Sequence, residues 1–99
     1  MSSSPQNVRP DALALHPDDD VAVLLRDVAA GECIQVLVGG ILSQLDIRTA
    51  VPSGHKAALR DMLAGHHVRK YSEVIGELVA PVERGAHVHV HNLVSLRAR

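Results

Sequence analysis

The feature that most constrains the fold of this chain is a short segment that recurs three times. Residues 25–36 (LRDVAAGECIQV), 59–70 (LRDMLAGHHVRK) and 79–90 (VAPVERGAHVHV) each place a glycine three residues before a β-branched residue. These glycines are Gly31, Gly65 and Gly85. Glycine relieves the strained backbone of a tight turn, and β-branched residues favour extended structure. The pattern predicts three similar turns that each lead into a strand, at spacings too uneven for a solenoid.

The segments between these turns are also mostly typical of strands. Val21–Leu25 and Ile34–Val38 are short apolar runs bounded by turn residues, and residues 41–47 follow with a broken alternation. In residues 51–56, VPSGHK, a proline and a glycine predict a further turn. Ala57–Ala64 has the one helical pattern, because its larger apolar residues fall on one side and a glycine follows.

These patterns predict a compact, mainly β single domain with one or two short helical turns. Residues 1–12 read as a disordered tail with nothing to bury, and residues 13–99 as the folded domain. The predicted core consists of the apolar positions of the strands and turns: Val21, Val23, Ile34, Val36, Leu59, Ile75, Val88 and Val90.

Composition excludes several classes of protein. Among the 99 residues there is no Phe or Trp, Tyr71 is the only aromatic residue, and the net charge is −1 without a basic cluster, which argues against nucleic-acid binding. Cys33 is the only cysteine, so one chain cannot form a disulfide or a cysteine zinc site. No apolar run is long enough to span a membrane and the N-terminus is no signal peptide, so we expect a cytoplasmic protein.

Residues 87–92, HVHVHN, carry the most informative chemistry. If this segment is a strand through Val88 and Val90, the valines point to one face and His87, His89 and His91 to the other. Two histidines at this spacing can bind one metal ion, since neutral imidazole is a common ligand of zinc and iron. A solvated strand face and a substrate pocket remain alternatives.

Three other groups of polar residues are weaker candidates. His55 and Lys56, in the turn at 51–56, offer a general base and a cation for a carboxylate, although a plain surface loop has the same composition. Residues 16–20, HPDDD, are more typical of a turn than of a hard-cation site. His66 and His67 are adjacent and diverge on a strand, which favours a structural or surface role.

A family resemblance covers residues 16–96. The segments DDDVAVLLRDVAAG, VPSGHKAALRDMLAG and VRKYSEVIGELVAPVERGAHVHVHNL closely resemble the SAF domain of the altronate and galactarate dehydratases. The resemblance implies a β-clip (SAF-like) fold and hydro-lyase chemistry that converts a sugar acid into a 2-keto-3-deoxy acid, with Fe(II) or another divalent metal. Some relatives carry this domain at the start of a long chain, whereas others have it as a separate small subunit. A related two-subunit enzyme eliminates sulfite from sulfolactate.

The resemblance implies an active site completed by a large dehydratase subunit, with no activity in the small one alone. We expect His55 and Lys56 to be catalytic. We expect His87 and Asn92 to bind a small sugar-acid substrate, and His89 and His91 to bind the metal. His55 and His89 are then predicted to lie within reach of one shared ligand.

Several alternatives stay open. The alternative functions are a sulfolactate sulfo-lyase subunit, a non-catalytic carbohydrate- or carboxylate-binding module, and a structural assembly domain. Self-association of the isolated domain is also left open. Two positions depart from the family pattern. Asp20 stands where relatives usually have Asn, and Ser72 stands where they usually have Gly, which puts an unusual backbone angle there in doubt.

Overall fold

A computed structural model describes residues 9–96, and all of the regular secondary structure in this range is β. The predicted mainly β fold is therefore confirmed. The nine strands are β1 (Ala12–Ala14), β2 (Val21–Leu24), β3 (Cys33–Val38), β4 (Ile41–Asp46), β5 (Lys56–Ala58), β6 (His67–Lys70), β7 (Glu73–Leu78), β8 (His87–Val88) and β9 (Leu93–Ser95).

The strands form two sheets. One has six strands in the order β4-β3-β1-β2-β5-β8, and the other has three in the order β6-β7-β9. Among the strands of residues 9–96, β1 and β3 pair in parallel, and the other neighbouring strands in the two sheets are antiparallel. The six-stranded sheet brings β5 next to β8, and this contact joins the two histidine segments of the sequence.

The prediction of a helix over residues 57–64 is wrong. Ala57 and Ala58 lie in β5 and are fully buried between β2 and β8. A few residues later, Met62 forms an isolated bridge with Val82. Long-range strand pairing has outweighed the helical spacing of the apolar side chains, and no helix occurs within residues 9–96.

The three recurring glycine turns are confirmed, and so is the turn predicted over residues 51–56. Gly31, Gly65 and Gly85 have φ of 91°, 89° and 88°, and Gly54 has φ of 83°. In each turn the residue after the glycine donates its N–H to the carbonyl three residues earlier. This is type II turn geometry, in which a positive φ at the third position favours glycine.

The turns are joined in two pairs by equivalent contacts. The residue that precedes each turn forms a bridge with its counterpart, Val28 with Val51 and Met62 with Val82. An aspartate just before one turn of each pair accepts a backbone N–H from the partner turn at 2.8 Å, Asp27 from Ser53 and Asp61 from Arg84. The recurring sequence segments therefore correspond to a recurring pair of crossed turns.

The core consists of two clusters of aliphatic side chains, one around β1, β2 and β3 and the other around β6, β7 and β8. Four of the predicted core residues are fully buried, namely Val21, Ile34, Val36 and Val88. Three others are half-buried, and of these Leu59 and Ile75 pack against the core clusters while Val23 lies in β2. The prediction that Val90 belongs to the core is wrong, because 80% of its surface is exposed.

The strand predicted to run through Val90 ends at Val88. His89 begins a turn in which the N–H groups of Asn92 and Leu93 both donate to the His89 carbonyl, at 3.0 and 2.9 Å. Because the turn rotates the chain out of the sheet, Val90 points to solvent and the strict alternation of the HVHVH run is lost.

The folded chain begins earlier than the predicted boundary. Ala12 already lies in β1, and the Asp11 carboxylate accepts the Gln35 N–H and the Arg26 guanidinium, each at 2.9 Å. The remainder of the predicted tail, residues 1–8, lies outside the described residues, as do residues 97–99.

Within residues 9–96, no helix of the length and apolar character that a membrane span requires is found.

Candidate functional site

The candidate site lies where β5 begins beside β8. His55 follows the Gly54 turn, and Ala57 pairs with His87 across the two strands. Side chains two residues apart on a strand share a face, so His55 projects on the same face as Ala57 and reaches His87. The turn after β8 then places His89 and His91 at the same edge.

Three imidazoles meet at this edge. His55 Nδ1 lies 2.8 Å from His87 Nε2, and the ring of His55 stacks on that of His89 with centroids 3.7 Å apart and planes 18° apart. One nitrogen from each of the three rings lies within 4.8 Å of the other two. The predicted proximity of His55 and His89 is confirmed, although 34 residues separate them in the sequence.

His91 is placed differently from the other three. Its ring centroid lies 5.0 Å from that of His87, with the planes tilted by 41°, and its residue is exposed. It is not a member of the three-imidazole group of potential metal ligands. The structure thus groups His55 with His87 and His89 and leaves His91 at the rim.

One buried ring nitrogen in the site has no hydrogen-bond partner within residues 9–96. His89 Nδ1 is buried and makes no hydrogen bond within the described residues. A buried polar atom without a partner costs free energy, so such atoms are rare unless something binds them. This atom is the strongest local sign that the imidazoles are arranged for a ligand.

The electrostatics favour neutral imidazoles. Burial lowers the pKa of His87, and the neighbouring His91, His55, His89 and Lys56 lower it further. Burial is also the first cause of the lowered pKa of His89, followed by His55, Lys56 and His91. Because metal ions bind the neutral ring, a lowered pKa keeps these nitrogens available as ligands near neutral pH.

Lys56 starts β5 and points to the opposite face from His55 by strand alternation. It is half-buried, and burial together with the charge of Lys70 lowers its pKa. Its charge still acts on His87 and His89. Lys56 is therefore a cation close to the imidazoles, without being one of the stacked group.

Asn92, predicted to bind substrate, has its amide turned to the protein. Its Oδ1 accepts the His89 N–H at 2.9 Å, and its Nδ2 donates to the His87 carbonyl at 3.0 Å. Only 9% of the residue surface is exposed. Sequence reasoning placed Asn92 near the site but could not foresee that its polar atoms bond the backbone of the two histidines.

The acidic run at 16–20 forms a turn, as expected. The buried Asp19 carboxylate accepts the N–H groups of Tyr71 and Ser72, each at 2.8 Å. Tyr71 and Ser72 have φ of 55° and 63°, so the unusual backbone angle is present although Ser72 replaces the usual glycine. Asp19 stabilises this left-handed turn between β6 and β7.

Asp20 holds a different set of groups. Its carboxylate accepts the Arg69 N–H at 2.9 Å, lies 3.1 Å from His66 Nε2 and forms an ion pair with Arg60 at 3.3 Å. An aspartate can accept all three contacts, which gives a physical reason for the departure from asparagine. The structural role expected for His66 agrees with this contact, whereas His67 is exposed and lies 3.4 Å from the Glu77 carboxylate.

Comparison with known proteins gives a consistent result. Residues 10–96 match the family described as the altronate/galactarate dehydratase SAF domain. The chain is 38% identical over 90 residues to the (2R)-sulfolactate sulfo-lyase subunit alpha of Chromohalobacter salexigens, a match that covers 84% of this chain and 93% of that subunit. It is 39% identical over 80 residues to the altronate dehydratase of Escherichia coli, which covers 81% of this chain but 15% of that enzyme.

The chain therefore belongs to the SAF domain family of the altronate and galactarate dehydratases. Its relatives are named as lyases of two kinds, dehydratases and a sulfo-lyase. The domain spans nearly the whole of one relative and a small part of the other, so the same fold occurs both as a subunit and within a longer protein.

Proposed function

We propose that this chain is the small component of a two-part lyase that removes water from a 2-hydroxy sugar acid, and that its imidazole cluster lies in the completed active site. The observation that carries the proposal is the convergence of His55, His87 and His89, and the buried, unpartnered Nδ1 of His89 supports it. A solvated histidine face would not require stacked rings or a covered nitrogen.

The three imidazoles fit a divalent metal such as Fe(II). Ligand nitrogens on one ion lie about 3–3.5 Å apart when each bond is about 2.1 Å long. The nitrogens here are already within 4.8 Å of one another, and metal binding would require the stacked rings to reorient and the hydrogen bond between His55 and His87 to be replaced. Three neutral nitrogens suit iron or zinc and leave further coordination positions open. A bound metal would act as a Lewis acid toward the substrate oxygens.

This arrangement changes the ligand set expected from the sequence. We propose His55 in place of His91 as a ligand, because its Nδ1 lies 2.8 Å from His87 Nε2. The exposed imidazole of His91, 5.0 Å from the His87 ring, is then the acid/base candidate on this chain. His87 and His89 remain at the centre of the site in either assignment.

Lys56 has a separate proposed role. Elimination beside a carboxylate removes the proton at C2 and places negative charge on the carboxylate side of the substrate. Lys56 is half-buried and starts on the face opposite His55, and its charge reaches His87 and His89, so we assign that carboxylate to its flexible side chain. Its incomplete hydration strengthens the attraction for an anion.

A larger partner fits the scale of the domain. The chain corresponds to 15% of altronate dehydratase, and its full-length relative is named as subunit alpha, which implies at least one other subunit there. We propose that the partner covers the imidazole edge and supplies the remaining groups. Covering the edge would exclude water and strengthen the interactions of these imidazoles.

Elimination of sulfite is the second candidate reaction. It is favoured by the match to the sulfo-lyase subunit alpha, which covers 93% of that subunit. The chemistry is closely related, since both reactions take the proton from C2 of a 2-hydroxy acid and release a group from C3. They differ in whether hydroxide or sulfite leaves.

The test is reconstitution with the large subunit of a lyase of this family that lacks a SAF domain of its own. The pair would be assayed with altronate, galactarate and sulfolactate by measuring 2-keto acid, with sulfite measured in parallel. We expect turnover of one substrate class by the pair, none by this chain alone, and loss of at least 100-fold in kcat/KM for His89→Ala. Full activity of His89→Ala would refute the active-site role of the cluster.

A matched control is His67→Ala. His67 is an exposed imidazole in β6 outside the cluster, so its removal should leave the activity of the pair unchanged. Thermal melts of both free variants would show that the loss in His89→Ala does not come from unfolding.

A further inference from the structure

The turn that follows β8 is built around Asn92. Its Oδ1 accepts the His89 N–H at 2.9 Å, its Nδ2 donates to the His87 carbonyl at 3.0 Å, and its own N–H donates to the His89 carbonyl at 3.0 Å. These three bonds tie one buried side chain and its backbone to both sides of Val88, and they therefore set where the chain leaves the sheet.

The register of β5 and β8 sets where the imidazoles lie. Ala57 pairs with His87 and Lys56 with Val88, so the same antiparallel register places His89 opposite His55, and the two rings stack at 3.7 Å. β8 is an edge strand that ends at Val88, and Asn92 bonds its backbone at the His87 carbonyl and at the His89 N–H just beyond it. The stacked arrangement therefore depends on the His89 backbone staying opposite His55, and Asn92 holds that backbone in place.

Both polar atoms of the Asn92 side chain are directed at the backbone of the turn and not at the imidazole cluster. Its Oδ1 is engaged by the backbone and the residue is buried. A side chain that held the substrate would instead present its polar atoms to the cluster.

We propose that Asn92 is a positioning residue that holds the His89 and His87 rings in line with His55 through their backbone groups, without itself contacting substrate or metal. This inference rests on the proposed function only for its consequence, a preorganised ligand set. The positioning itself is a property of the free domain.

The test compares Asn92→Ala and Asn92→Asp with Val90→Ala. Asn92→Ala removes both side-chain bonds, whereas Asn92→Asp keeps an acceptor for the His89 N–H and loses the donor to the His87 carbonyl. Val90→Ala changes an exposed side chain in the same turn and serves as the matched control. If Asn92→Ala does not fold, Asn92→Asp carries the comparison.

Two readouts separate positioning from general stability. In the metal-free domain, nuclear Overhauser effects between His55 and His89 ring protons report the stacking directly. We expect them in the wild type and in Val90→Ala, and expect them to be lost in Asn92→Ala and weakened in Asn92→Asp. Calorimetric titration with Co²⁺ should show affinity reduced about 10–100-fold in Asn92→Ala, the range usual for residues that orient metal ligands.

The outcomes distinguish the inference from the proposed function. Stacking in the wild type that is lost in folded Asn92 variants supports positioning, even if the wild type binds no Co²⁺ and the metal proposal fails. Unchanged ring contacts in a folded Asn92→Ala would overturn the positioning role. If the wild type binds Co²⁺, an equal affinity in Asn92→Ala would overturn it as well.

Discussion

At the scale of single residues, the main determinant of the site is the balance between imidazole charge and burial. Positive charge on a neighbouring imidazole opposes protonation of His87 and of His89. Burial is the first cause that lowers the pKa of both His87 and His89. The folded domain therefore holds these rings neutral at pH values where the unfolded chain begins to protonate them.

This difference predicts how stability depends on pH. Below about pH 6.5, the ordinary imidazole pKa, the unfolded chain binds more protons at these positions than the folded domain does, so the free energy of unfolding falls as the pH decreases. Above that pH the two imidazoles add no pH dependence. We expect the decrease between pH 7.5 and 5.5, measured by urea denaturation, to be smaller in His87→Gln/His89→Gln than in the wild type. Equal decreases would contradict the lowered pKa values.

Ser72 allows a second prediction at this scale. Its φ of 63° costs about 1–2 kcal/mol for a residue with a side chain, while glycine costs about 0.4–1 kcal/mol through the entropy of the unfolded chain. Ser72→Gly should therefore raise the free energy of unfolding by about 0.5–1 kcal/mol. The control is Ser53→Gly, since Ser53 is an exposed turn residue without a positive φ and should gain nothing. Equal effects at both positions would show that Ser72 is not strained.

At the scale of elements, β8 is short because a side chain ends it. His87 and Val88 pair with β5, and the bonds of Asn92 then turn the chain before Val90 can join the sheet. Two valines two residues apart in the sequence thus have opposite environments, with Val88 fully buried and Val90 at 80% exposure.

This contrast is testable by a pair of equal truncations. Val88→Ala should lower the free energy of unfolding by about 2–3 kcal/mol, because it removes buried methyl groups and leaves a cavity. Val90→Ala should change it by less than about 0.5 kcal/mol. Chemical denaturation of both variants measures the difference. A loss at Val90 as large as at Val88 would mean that the strand continues to residue 90.

The elements also show which features the sequence could predict. The glycine turns were predictable because a positive φ and a three-residue bond are local properties, and Gly31, Gly65 and Gly85 mark them directly. The helix at 57–64 was mispredicted because Ala57 and Ala58 are buried by β2 and β8, which lie far away in the sequence. Local spacing carries no information about such partners.

The distinction between local properties and distant partners also holds for the candidate site. The proximity of His55 and His89 was predicted only through the family pattern, since no local rule links positions 34 residues apart. The exclusion of His91 from the ligand group follows from the turn at Asn92, and a strand pattern cannot foresee a turn made by side-chain hydrogen bonds.

At the scale of the whole molecule, the order of the strands explains how a small chain brings three histidines together in one site. The order β2-β5-β8 places two sequence-distant segments side by side at one end of the six-stranded sheet. The aliphatic core beneath, with Ala57 and Val88 fully buried, anchors the strands that carry His55 and His87. The imidazoles therefore stand on a packed scaffold, which is how a preorganised ligand set is maintained.

The most direct test of the three-imidazole site is a Co²⁺ titration of the domain and of four single variants, with visible spectra recorded alongside. His55→Ala, His87→Ala and His89→Ala each remove one proposed ligand and should reduce Co²⁺ affinity at least tenfold, while His91→Ala removes the rim imidazole and should change it by less than about threefold. Absence of Co²⁺ binding by the wild type, or a loss in His91→Ala equal to that in His89→Ala, would contradict the three-imidazole site.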